Sequence, residues 1–249
     1  MPELVESESE PAFETAAGVL LRPDAVAPWP HTVFILAVLA LWATYGALHS
    51  PAAMMERAPR AVIYLFQMVM MYLLVGSTIA GLYHRRQFIV AAFGNLRTGN
   101  IFADVGRGFL VYLGGMGVAL VLGLLLRPTH LSHRQTAVSA IAPHNFFELP
   151  VWILVSLTAG VCEEFLFRGY LLRQFGRWFG GFAPAIGLST LIFACMHFYE
   201  GSAAVIQIGG LGAFYAIIAV RRGNLRHVMI AHFFQDAITG VYLYLRLRG

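Results

Sequence analysis

Apolar residues in this chain neither alternate nor recur every third or fourth position. They run in long blocks separated by short stretches of arginine, glycine and proline. A helix needs about 20 apolar residues to cross the hydrocarbon core of a bilayer. Seven blocks come near that length: roughly 31–48, 61–82, 108–126, 149–172, 182–198, 203–220 and 227–245. A shorter apolar run at 88–93 reads as an interfacial helix or as part of an eighth span. In lipid the backbone polar groups of a spanning segment have to be satisfied within it, and blocks this long do so as helices. The pattern predicts an all-α polytopic transmembrane bundle of seven or eight spans, without internal repeats.

Composition agrees. Of 249 residues, 58% are hydrophobic and only 12% are charged, against about 25% charged in an ordinary soluble domain, and the mean hydropathy is +0.68. Such a chain has too few polar groups to cover a water-facing surface. Its bases are all arginine. They sit mostly in the short loops, where positive charge reports topology rather than a nucleic-acid partner. Placing the N-terminus inside puts ten loop arginines inside and six outside, so that orientation is expected, in the inner (plasma) membrane of a bacterium. The first 14 residues hold five glutamates and no base, unlike the positive start of a signal peptide. Three regions follow: an acidic, disordered tail over 1–28, N-terminal membrane helices over 29–148, and a chemistry-bearing part over 149–246. Cys162 and Cys195 both lie inside apolar blocks and read as packing residues, giving neither a disulfide framework nor a thiolate metal site.

Ionisable residues deep in three of the blocks change the picture. The fourth block carries Glu163, Glu164 and Arg168, the fifth ends near His197, and the seventh holds His232 and Asp236. A charge near the bilayer centre costs about 2.5–3.5 kcal/mol on insertion scales, so such residues mark sites. Glu164 and Arg168 are four apart and can pair on one helix face. Glu163 points about 100° away, lacks this partner, and is suited to serve as a general base. His232 and Asp236 also share a face. A base, two histidines and an apolar wall together suggest hydrolysis, with His197 and His232 supplying protons or donors to an oxyanion. The same Glu163, His197 and His232 set can instead hold a zinc ion with an open position. Other candidates read as ordinary: Glu200 as a solvated loop carboxylate, Glu148 as interfacial, and His130, His133 and His144 as loop histidines rather than a metal site.

The motifs are also familiar. Glu163-Glu164-Phe-Leu-Phe-Arg168-Gly-Tyr resembles the E-E-x-x-x-R motif of the CPBP family, which contains the type II CAAX prenyl endopeptidases and bacteriocin-processing or immunity proteins. Phe193-Ala-Cys-Met-His197 resembles its F-x-x-x-H motif, and His232-Phe-Phe-Gln-Asp236 its H-x-x-x-N or H-x-x-x-D motif. Gly209-Gly-Leu-Gly212 and the turn Arg222-Gly-Asn-Leu225 fit the same pattern, and the resemblance covers about 150–244. It implies an intramembrane endopeptidase with a conical cavity in the C-terminal half, acting on a membrane-embedded or lipidated protein near its C-terminus or leader. By resemblance Glu163 activates water with His197, Glu164 and Arg168 support it, and His232 and Asp236 face the oxyanion. Ionised aspartate cannot donate a hydrogen bond as asparagine can, so Asp236 is expected to be protonated, to orient His232, or to help hold a metal. Two other classes compete: a transporter or proton relay, against which the absence of repeats speaks, and a non-catalytic scaffold or immunity protein, against which the intact motifs speak. No H-E-x-x-H of a soluble zinc protease occurs.

Overall fold

The computed structural model describes residues 27–49, 54–85, 100–129, 131 and 135–247. The acidic tail up to residue 26, the 88–93 run, His130 and His133 lie outside them. The described residues are helical and contain no strand. The elements are α1 (Trp29–Leu48), α2 (Arg60–His84), α3 (Ile101–Leu126), the short α4 (Gln135–Ile141) and α5 (Glu148–Glu164). A π-helical turn, Phe165–Leu171, joins α5 to α6 (Leu172–Phe179). Next come α7 (Phe182–Cys195), a 3₁₀ turn (Phe198–Glu200), α8 (Ser202–Arg222) and α9 (Arg226–Arg246). Among the described residues six helices, counting α5 to α6 as one, are long and apolar enough to cross a membrane, as expected of an integral multi-pass protein.

The boundaries follow local chemistry. Prolines open α1 and precede α2, where the missing N–H costs nothing. The Asn100 side chain caps α3 by accepting from the Phe102 N–H. Gly180 and Gly223, both left-handed at φ 72° and 62°, end α6 and α8. The fifth block departs from its expected extent. Its helix has 14 residues and stops at Cys195, because the backbone tightens there: the His197 N–H bonds the Ala194 carbonyl, and Gly201 at φ 99° turns the chain into α8. His197 therefore sits in a turn, not within a span.

In the bundle α9 packs against α3 and α5, α8 against α3 and α7, and α2 against α5. The α5–α9 approach is set by Gly160: a Cβ there would lie 2.8 Å from the Met229 carbonyl oxygen and 2.9 Å from the Phe233 nitrogen. Trp152 adds an indole N–H bond to the Asp236 carbonyl at 3.0 Å. α1 is pinned at its start. Gln174 donates to the Ala27 carbonyl at 3.1 Å, and His31 bridges the Ser77 carbonyl (2.9 Å) and the Tyr170 hydroxyl (2.8 Å), which also meets Thr32 at 2.8 Å.

Candidate active site

Glu163 and Glu164 end α5 where the helix widens into its π turn. That is a device seen mostly at functional sites, and here it precedes Arg168. The two carboxylates meet different surroundings. Glu164 is wholly buried. Its Oε1 accepts from Arg168 Nη1 at 3.0 Å and from His232 Nδ1 at 2.8 Å. Arg168 is itself held by a second bond, Nη2 to the Gly212 carbonyl at 3.0 Å, and lies 4.3 Å from the centre of the Phe193 ring. Glycine at 212 lets that guanidinium approach: a Cβ there would come within 2.9 Å of Nη2. The Glu163 side chain keeps 19% of its surface exposed. That exposure decides which of the two carboxylates can meet a water molecule and a substrate.

His232 links the two. With Nδ1–H committed to Glu164, its Nε2 stands 3.9 Å from Glu163 Oε2 and 3.5 Å from Asp236 Oδ2. The first distance is too long for a direct hydrogen bond and suits two groups acting on one small molecule. His197 approaches from the turn after α7. Its Nδ1 lies 2.9 Å from the Phe193 carbonyl. A carbonyl can only accept, so Nδ1 carries a proton, and in the neutral ring the lone pair is on Nε2.

Glu163 and His197 share the wall of a cavity of about 550 Å³. Most of its lining comes from α1 and α2, among them Trp42, Gln67, Met70 and Met71. The N-terminal helices, which in the sequence are only apolar spans, thus close the site. His232 and Asp236 are not in that wall. The structure brings Glu163, Glu164, Arg168, His232 and Asp236 into one network and sets His197 in the same cavity wall as Glu163. Among the described residues no three His, Cys, Asp or Glu side chains converge closely enough to hold a metal ion.

Two features escaped the sequence. One is the bond from His232 to Glu164, since i,i+4 spacing points Glu164 to Arg168 alone and shows no contact between α5 and α9. The other is Tyr199, which lines the cavity beside His197 with ring centres 6.0 Å apart. Glu200, read as a solvated loop carboxylate, is instead partly buried and hydrogen-bonded to Tyr199. The expectation of solvation fails because the 3₁₀ turn folds inward against α1 and α8.

No curated protein and no solved structure matches the chain. Residues 145–238, the stretch that supplies Glu163, Glu164, Arg168, His197, His232 and Asp236, match the family model described as Rce1-like (Type II CAAX prenyl endopeptidase Rce1-like). This is the family that the three motifs resemble, so over these residues the chain is similar to CAAX-type membrane proteases.

Proposed function

We propose that the protein hydrolyses a peptide bond within the bilayer, near the C-terminus or leader of a membrane-embedded or lipidated protein, with Glu163 as the general base. The supporting observation is that Glu163, partly exposed while Glu164 is wholly buried, shares with His197 the wall of an apolar cavity of about 550 Å³. A cavity with an apolar wall and few convergent polar groups is the form a substrate site takes.

In this reading Glu163 takes a proton from water as the water oxygen bonds to the carbonyl carbon. The C=O electron pair moves onto oxygen. The tetrahedral intermediate then expels the amine, which takes up a proton from Glu163 or through His197 Nε2. One water is consumed and a carboxylic acid and an amine are released. His232, anchored on Glu164, holds the Glu163 side of the site, and Asp236 fixes the outer nitrogen of His232. Were zinc present, Glu163, His197 and His232 would be its ligands, after rearrangement of the side chains seen here. The proposed location is a bacterial plasma membrane.

The test is cleavage of lipidated and unmodified peptides by the protein in proteoliposomes. Glu163→Gln keeps the shape and removes the base, and a loss of about 10³-fold is expected. Full activity in that variant would sink the assignment.

A further inference from the structure

The cavity wall poses a problem for the oxyanion. The groups expected to stabilise it, His232 and Asp236, do not line the cavity, and Asp236 as a carboxylate has no hydrogen to donate. A third polar side chain from the Rce1-like segment does line it. Tyr199 stands in the 3₁₀ turn two residues after His197, its ring 6.0 Å from the imidazole and tilted 31° to it. The Tyr199 ring lies against α1 at Gly46, where a Cβ would lie 3.8 Å from Cδ1. Tyr199 shares the cavity wall with Glu163 and His197. Its phenol is hydrogen-bonded to the Glu200 carboxyl.

We propose that Tyr199 is a catalytic residue of the reaction proposed above, donating its hydroxyl hydrogen bond to the oxyanion that forms opposite Glu163, with Glu200 as its positioning residue. The proposal rests on the hydrolytic reading. No proton is transferred: the O–H stays on Tyr199 and only the hydrogen bond shortens as charge builds on the substrate oxygen. A tyrosine hydroxyl keeps its proton at neutral pH, so Tyr199 in the cavity wall is a donor. Its hydrogen turns from the Glu200 carboxyl to the substrate oxygen as charge builds there. Donors aimed at developing charge account for large parts of acyl-transfer catalysis.

The experiment compares wild type, Tyr199→Phe, Glu200→Gln and Glu163→Gln in proteoliposomes. The probes are a farnesylated C-terminal peptide and its unmodified counterpart, and melting is recorded for each variant. Tyr199→Phe keeps the ring and its packing. Its kcat is expected to fall about 100-fold, with KM within about twofold and an unchanged melting temperature. Glu200→Gln, whose amide still donates to the phenol, should lose less than about tenfold. Affinity for a peptide phosphinate, measured by titration without turnover, should fall in Tyr199→Phe in step with kcat. Near wild-type kcat and phosphinate affinity in Tyr199→Phe, with Glu163→Gln inactive, overturn the role of Tyr199 alone. Cleavage that survives in Glu163→Gln overturns the hydrolytic reading beneath it as well.

Discussion

Two adjacent glutamates receive different fates from one turn of helix. Glu164 is the anchor of a buried network with Arg168 and His232, whereas Glu163 opens onto the cavity. Removing one member of a buried ion pair leaves the other uncompensated and costs about 3–5 kcal/mol. Glu164→Ala is therefore expected to lower the melting temperature in detergent sharply, while Glu163→Gln melts like wild type and fails only in cleavage. Equal melting losses in the two variants would contradict this division. Glu200 carries a pH signature. Its carboxyl is raised in the folded protein, first by burial. As pH climbs past the ordinary glutamate value, the unfolded chain releases its proton while the folded chain retains its own. The unfolded state then binds fewer protons, and stability falls with rising pH. A melting profile across that range should slope downward for wild type and be flatter for Glu200→Gln. The spacing of Glu164 and Arg168 made their pairing legible in the sequence, as the exclusion of Glu163 from it was. The third partner, His232, lies 68 residues away and no local spacing could name it.

At the level of helices, the site depends on how closely α5 and α9 approach. Gly160 faces the α9 backbone with no room for a methyl group. Gly160→Ala should push α9 outward, carrying His232 off Glu164 and Glu163, so cleavage and melting temperature are expected to fall together. A variant that kept both would show that the helices have slack. α1 and α2 have a different part. They supply most of the cavity wall but none of the proposed catalytic groups, so they are placed to choose substrates. Met70→Trp narrows the cavity and should raise KM about tenfold for a lipidated peptide while leaving kcat within about twofold, the pattern of lost ground-state binding. A selective loss of kcat would contradict that division of labour. Apolar length alone predicted these helices. It could not predict their part in the site, because the blocks facing lipid and those facing the cavity have the same composition.

For the molecule as a whole, the spread of the donors, no three of which converge among the described residues, leads to an expectation: cleavage should persist in a chelator, and purified protein should carry no stoichiometric zinc. Activity lost on chelation and restored by zinc would require Glu163, His197 and His232 to close on the ion. The sequence by itself determined that the chain is a helical membrane protein, because the length of an apolar block is set by bilayer thickness and needs no partner. It also determined which residues to suspect, because a charge in a span is costly wherever the span ends up. Tertiary structure decided the rest. Only the packing of α9 on α5 at Gly160 could hand Glu164 to His232. Only the early stop of α7 at Cys195 could turn His197 and Tyr199 toward the cavity, and only the return of α1 and α2 could enclose it. Each of these is a long-range contact between surfaces with similar side chains, and their arrangement is decided by fit rather than by local pattern.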